Sequence, residues 1–308
     1  MNNLIINTTP MAKRDYILRY LFIIRKLRNS NMATFNEISD FIEFEFDLLG
    51  DKQSLSRRTF QRDLNEIRTI FNIDIQCNSK GEYYIDADEN ADINNRILEG
   101  FDLFNALSSV QKKSSFVLLE ERCSLGTEHI YGLLHAIQNC FIVKFTHTKY
   151  WEDKVTQRTI KPYALKEFKG RWYVLSEDMG DKKIKTFGLD RISDLKITQK
   201  TFPFPVDFNP ESYFKDCFGI ITDETIPVEE IVLSFTEVQA KYIKSFPLHH
   251  SQKEIEPING EFTIKLKLRP SFDFIMELLS HGDMVRIIKP ENLKQRVRTI
   301  LNNSLKYN

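Results

Sequence analysis

A chain of 308 residues, 42% hydrophobic and 28% charged, has room for two to three domains and the composition of an ordinary globular protein. Its 43 basic and 43 acidic side chains cancel, so no global field advertises nucleic acid and any such binding must rest on local charge placement. Four widely spread cysteines without a CxxC pair argue against a zinc ribbon or a disulfide framework and fit a reducing compartment. No apolar run reaches the roughly 18 residues of a membrane span, and the start MNNLIINTTPMAKRD lacks the apolar core of a secretory signal. A cytoplasmic protein without a membrane partner is expected.

Residues 12–88 carry three helical signals and then a hairpin signal. Tyr16, Ile17, Tyr20, Ile23, Ile24 and Leu27 recur at spacings of three and four, a buried stripe on a first helix. A second stripe, Phe35, Ile38, Phe41 and Ile42, follows Thr34 as its N-cap. In SLSRRTFQRDLNEIRTIF, Ser56 can cap a third helix that places Leu55, Phe60, Leu64, Ile67 and Ile70 mostly on one side; Arg57, Arg58, Gln61, Arg62 and Asn65 occupy the rest. FNIDIQCNSKGEYYID gives two short strands joined through NSKG. Three helices and a two-stranded wing are the elements of a winged helix-turn-helix, with the third helix as reader. Residues 1–80 hold 12 basic against 10 acidic side chains, so only the local string Arg57, Arg58, Arg62 argues for DNA; the alternative is a solvated helix face.

The same stretch resembles the recognition helix of DeoR-like bacterial regulators, on Ser56, Arg58, Thr59, Arg62, Asp63 and Leu64. That resemblance implies duplex DNA as partner. Ser56 and Thr59 would meet phosphates or base edges near the helix N-terminus, and Arg57, Arg58, Gln61 and Arg62 would complete the DNA-binding set. Asp63 is expected to buttress the fold through a salt bridge, because a free carboxylate beside phosphates is repelled.

Residues 89–125 open on the polar, acidic ADENADINN. They continue with helical spacing through Ile97, Leu98, Phe101, Phe104, Leu107 and Val117, a helical linker able to hold a second subunit. EHIYGLLHAIQNC is a further helix, whose His129 and His135 stand six apart, a poor spacing for a shared metal, and are expected to be packing or surface histidines. From Phe141 the period shortens to strands, and many short strands closing on themselves make a small open barrel. Residues 141–200 hold 14 basic against 8 acidic side chains, a net of +6.

Residues 126–200 resemble the WYL domain, on Trp172, Tyr173 and Val174, on Arg158 and Pro162 upstream, on the turn Lys169-Gly170, and on FGLDRI at 187–192. With the DeoR-like head and a WCX-like C-terminal extension, the similarity covers most of the chain. It implies an Sm-like (SH3-type) β-barrel that senses a ligand, in some members a nucleotide or single-stranded nucleic acid. Gly188 stands where relatives commonly carry Arg, which puts one cation of the usual pocket in doubt.

Alternation in RWYVL turns inward either Trp172 with Val174 or Tyr173 with Leu175, leaving the other pair for a second face. Arg191 is either a fork for a phosphate or carboxylate at the barrel rim, or one half of a structural bridge to a carboxylate. An anionic, phosphate-bearing effector suits the +6 excess. Tyr150, Trp151, Tyr163, Trp172 and Tyr173 offer rings to a base, and Arg158, Lys161, Lys185 or Arg191 would meet the phosphate.

Residues 201–225, with Pro203, Pro205 and Pro210, read as a connector. Residues 226–308 alternate strand-helix-strand-strand-helix-strand before a last helix, the order of a ferredoxin-like domain. The expected class is thus multidomain α+β, acting as a homodimer. No GxGxxG, P-loop, HExxH or nucleophile elbow occurs, and the carboxylate pairs Glu120-Glu121 and Glu229-Glu230 lack a partner base; no enzyme, cofactor or metal is expected. Two functions stand: a ligand-responsive transcription regulator, or a nucleotide- or single-strand-binding module that does not act at promoters.

Overall fold

A computed structural model describes residues 11–51, 53–88, 91, 94–100, 103, 125–150, 152 and 154–307. The linker residues Phe101, Phe104, Leu107 and Val117, together with Glu120, Glu121, Cys123 and Trp151, lie outside the described residues. The chain is a multidomain α+β protein of two compact units, Met1–Glu120 and Glu121–Asn308. No described helix is long and apolar enough to cross a membrane.

The first unit runs α1 (Met11–Ser30), β1 (Ala33–Thr34), α2 (Phe35–Leu48), α3 (Arg57–Phe71), β2 (Ile73–Cys77) and β3 (Glu82–Asp88). Thr34 starts α2 by a reciprocal capping box: its hydroxyl accepts from the Glu37 N–H, and the Glu37 carboxylate accepts from the Thr34 N–H at 2.7 Å. Ser56 caps α3 by accepting from the Thr59 N–H at 3.1 Å. Ile23, Ile38, Ile42, Phe46, Phe60 and Ile67 fill one core. There Phe60 stands edge-on to Phe35 and Tyr83, with centroids 5.4 and 4.9 Å apart.

Two details depart from the expectation. Ile70 is 51% exposed and Phe71 takes the core position, because the buried stripe of α3 runs Phe60, Asp63, Ile67, Phe71. The wing has three strands, since Ala33–Thr34 adds to β3 in the order β1-β3-β2. Its turn is fixed by the Asn78 carboxamide, which accepts from the N–H groups of Lys80 and Glu82, and by Gly81 at φ 80°.

The second unit opens with the helix Ile130–Gln138 and continues as β4 (Phe141–Lys149), β5 (Lys154–Phe168), β6 (Arg171–Asp178), β7 (Lys183–Gly188) and β8 (Ile192–Thr201). All pair antiparallel in the order β7-β6-β5-β4-β8. Leu133, Val143, Phe145, Ile160, Val174, Phe187 and Leu189 form its core, and Trp172 packs against it. Trp172 and Val174 face this core, while Tyr173 and Leu175, on the opposite face by alternation, are buried as well. FGLDRI is not one strand: Leu189–Arg191 form a 3-10 turn that carries the chain from β7 to β8, so Arg191 sits at a turn.

After the connector, which holds the short helix Pro210–Phe214, come β9 (Glu229–Phe235), β10 (Lys253–Ile258), β11 (Glu261–Leu268) and β12 (Val285–Lys289) in the antiparallel order β10-β11-β9-β12. Asn259 and Gly260, both at positive φ, close the β10–β11 turn. The helices Glu237–Ser245, Phe272–Ser280 and Glu291–Leu305 bury Ile243, Phe274, Leu278 and Leu293 in one core with the alternate strand residues Ile231, Leu233, Ile264 and Leu266.

Candidate functional site

The outer face of α3 is cationic because its first acid is turned inward. Asp63 is fully buried and takes both hydrogen bonds of the Arg19 guanidinium, with Nη2 to Oδ1 at 3.0 Å. What remains outside is Ser56, Arg57, Arg58, Gln61, Arg62 and Asn65, with Glu66 the one exposed acid of this helix. The six expected residues differ in freedom. Ser56 and Thr59 bind one another, hydroxyl to hydroxyl, at 2.8 Å, so their first task is the cap. The Arg57 guanidinium lies over Phe35 at 4.6 Å, and that of Arg62 over Tyr16 at 5.3 Å and 3.6 Å from Asp63. Gln61 donates to the Tyr83 hydroxyl at 3.3 Å, which ties the helix to the wing strand. Arg58 is exposed and has no ion pair among the described residues. Asn65 is one turn beyond Gln61 and two beyond Arg58; its helical spacing is the signal that assigns it to the same face.

The eight expected effector residues do not converge on one point. Arg158 and Lys185 both donate to Asp178, at 2.9 and 2.8 Å, and Lys185 reaches Asp181 at 2.6 Å. Burial opposes the Asp178 charge, but these cations and the Gly180 N–H outweigh it and hold the carboxyl below its usual range. Lys161 and Tyr163 both donate to Glu177, at 2.7 and 3.1 Å. The Tyr163 ring is 4% exposed among Phe202, Phe204 and Phe208, and burial first, then Glu177, push its phenol up to about 12. It presents no open face for stacking. Trp172 belongs to the core, and Tyr173 is buried.

Arg191 and Tyr150 form the third group. The guanidinium stands over the exposed Tyr150 ring at 5.5 Å and 3.7 Å from Asp190, whose other oxygen accepts from Arg171 at 2.7 Å. Two guanidinium groups thus share one carboxylate, whereas Arg158 and Lys185 are matched by Asp178 and Asp181. Among the described effector candidates, Arg191 is thus the cation that shares its carboxylate with a second guanidinium. His147 completes this end of the sheet. It is 7% exposed, both ring nitrogens lack a partner among the described residues, and it is pushed down to about 4 by burial and then by Arg191 and Arg158. The alternation of FIVKFTHTK places it on the core face with Val143 and Phe145, a signal legible in the sequence.

His129 meets the Ile192 carbonyl, His135 packs on Phe141, and no group of three His, Cys, Asp or Glu able to hold a metal occurs among the described residues.

Fold and sites together define a multidomain α+β protein with an N-terminal helical unit, followed in sequence by a unit with two larger antiparallel sheets. Residues 128–197 match the WYL domain and residues 227–305 the WCX domain. The chain is a WYL- and WCX-domain protein related to PafB-family bacterial regulators. Over 176 residues it is 25% identical to Protein PafB of Mycobacterium bovis and of Mycobacterium tuberculosis, covering 56% of this chain and 52% of the relative. The chain spans about half the length of these curated relatives. Among solved structures, proteasome accessory factor B/C (PafBC) of Arthrobacter aurescens aligns at 20% identity and a TM-score of 0.35, over 93% of this chain and 46% of that one. A CRISPR Cas-related protein aligns at 10% identity and 0.41, over 100% and 88%. Neither superposition is close enough to define the fold.

Proposed function

We propose that the chain is a ligand-responsive transcription regulator. Residues 12–88 bind duplex DNA as a winged helix-turn-helix through α3, and the WYL domain senses a phosphate-bearing or nucleic-acid-like effector. The observation that carries the reading is the outward face of α3, where Arg57, Arg58 and Arg62 are exposed while Asp63 is turned inward onto Arg19. Such a face beside a wing has the charge and shape to enter a major groove, its arginines meeting phosphates and base edges.

The effector end is Arg191 with Tyr150, one guanidinium not fully balanced and one open ring, the pair that a phosphate and a base require. We read the five-stranded sheet as an Sm-like open barrel, since four strands meander and the fifth returns beside the first. We read β9–β12 with their helices as ferredoxin-like, since the order β10-β11-β9-β12 is that of a split β-α-β unit. The acting species is a homodimer in the cytoplasm, because two heads on two half-sites gain affinity and register. Light scattering should give about twice 36.3 kDa.

The test is a mobility shift with duplex DNA from the region upstream of the gene. Arg57→Glu with Arg62→Glu abolishes the shift, and rising salt weakens the wild-type complex. Unchanged binding by the folded double variant would overturn the reading. Tight single-strand or nucleotide binding with no duplex binding would instead make the chain a module that does not act at promoters.

A further inference from the structure

The connector after β8 borders a cleft of about 1070 Å³ beside β5 that none of the groups described above occupies. Its lining is mixed: Phe208 and Phe214 are apolar, and the lysines Lys166 and Lys215 stand with the carboxylates Asp207 and Glu211. Val206 is 97% exposed, so the connector presents it to the opening and not to a core.

Lys166 is the informative residue. It follows Leu165, which packs against the WYL core, so strand alternation turns Lys166 to the other face and toward the cleft. It is half-buried, and its ammonium lies 4.5 Å from the centre of the Phe214 ring. Burial lowers its pKa, and no carboxylate pairs with it among the described residues. The two other half-buried lysines of this sheet that the effector reading uses are each matched: Lys161 by Glu177, and Lys185 by Asp178 and Asp181. A partly desolvated ammonium that has only a ring for company carries an uncompensated cost, and an anion in the cleft would remove it.

We propose that this cleft is a second binding site, for a small organic anion whose carboxylate, sulfonate or phosphate pairs with Lys166 while its apolar body lies against Phe208, Phe214 and Val206. The volume is that of a drug-sized molecule and far exceeds the need of an inorganic ion. Lys215, Asp207 and Glu211 are exposed at the rim, so Lys166 is the half-buried lysine left to meet the anion. The site is separate from the Arg191–Tyr150 pair and does not depend on the regulator reading.

The probe is 8-anilinonaphthalene-1-sulfonate, an organic anion of this kind whose fluorescence rises on binding, titrated into the full chain. Saturable binding at one site is expected, weakened about 10- to 100-fold by Lys166→Met, the range for loss of a charge-assisted contact. Lys241→Met, an exposed lysine outside the cleft, and Arg191→Ala should bind as the wild type does. The uncharged N-phenyl-1-naphthylamine should not distinguish Lys166→Met from wild type. Ser212→Trp fills the cleft from an exposed position and should abolish binding, which keeps the test decisive if Lys166→Met fails to fold by circular dichroism. Equal affinity in folded Lys166→Met or Ser212→Trp would overturn the site, as would a loss on Arg191→Ala without one on Lys166→Met. Failure of the Arg191 effector with the Lys166 dependence intact would sink the effector reading and leave the cleft standing.

Discussion

Arg19 on α1 and Asp63 on α3 form a pair inside the first unit, the carboxylate fully buried and the guanidinium 6% exposed. The pair is what allows an Arg-Asp-Leu string to sit on a DNA-facing helix without setting an acid against phosphates. It also locks α3 to α1, and Arg19 and Arg62 flank the Tyr16 ring at 5.2 and 5.3 Å.

Asp63→Ala leaves the Arg19 guanidinium desolvated and unpaired, and should cost about 3–5 kcal/mol of the stability of the first unit. Arg58→Ala, at an exposed position, should stay within about 0.5 kcal/mol. Urea unfolding compares them; equal costs would show that the buried pair does not anchor the helix.

Acid sensitivity should come from two histidines. His147 is pushed down to about 4 by burial and then by Arg191, Arg158 and Lys149, and His249 to about 4 by burial and then by His250. In the unfolded chain both titrate near 6.5. Between pH 6.5 and 4 the unfolded state therefore binds more protons, so stability is full above 6.5 and falls as pH drops toward 4, by up to about 3 kcal/mol for each residue. Unfolding midpoints across this window should flatten in a His147→Leu variant, with the wild-type slope as reference. An unchanged slope would exclude His147 as a contributor.

Much of this architecture is legible in the sequence because periodicity and capping are local. Thr34 and Ser56 announce their helices, NSKG and NG announce their turns, and the alternating tail announces its strands. The buried face of α3 is legible apart from Ile70, where a spacing of three from Ile67 competes with the spacing of four that selects Phe71. The site on the WYL sheet is less legible, because the sign of a residue does not tell which carboxylate lies across the strand. Arg158, Lys161 and Lys185 look alike in sequence, and only the register of β5, β6 and β7 shows each matched by Asp178, Glu177 or Asp181. Arg191 escapes this because its carboxylate, Asp190, is shared with Arg171. Lys166 is hidden for the opposite reason: what distinguishes it is that no carboxylate pairs with it among the described residues.

Gly188 and Arg191 are coupled by space. A Cβ at 188 would lie 2.5 Å from an Asp190 oxygen and 2.8 Å from Arg191 Nη2, while φ there is an ordinary −66°. Glycine is needed for room and not for backbone freedom. Both opposed atoms are ends of side chains, so Gly188→Ala should displace the Arg191 guanidinium from Tyr150 with a stability change of about 1 kcal/mol or less. Titration with nucleotides and short oligonucleotides should then show the same loss as Arg191→Ala. Wild-type affinity in Gly188→Ala would mean that Arg191 is not held where the effector needs it.

The outward face of α3 makes the last prediction, because its residues divide by reach. Arg58 and Asn65 lie seven apart, on one line along the helix, with Gln61 between them and fixed to Tyr83. A long, unpaired Arg near the helix start suits a phosphate; a short Asn further along suits a base edge. Arg58→Ala should weaken duplex binding uniformly across sequences and lower the salt slope by about one. Asn65→Ala should cost about 1–3 kcal/mol on the operator, relax the preference at one base pair and leave the salt slope unchanged. Glu66→Gln removes the only exposed acid on this helix and should raise affinity most at low salt, where screening is weakest. Salt-dependent shifts on operator and scrambled duplex separate the three. If Arg58→Ala leaves the salt slope intact and relaxes a base preference that Asn65→Ala leaves unchanged, the base-reading role passes to Arg58.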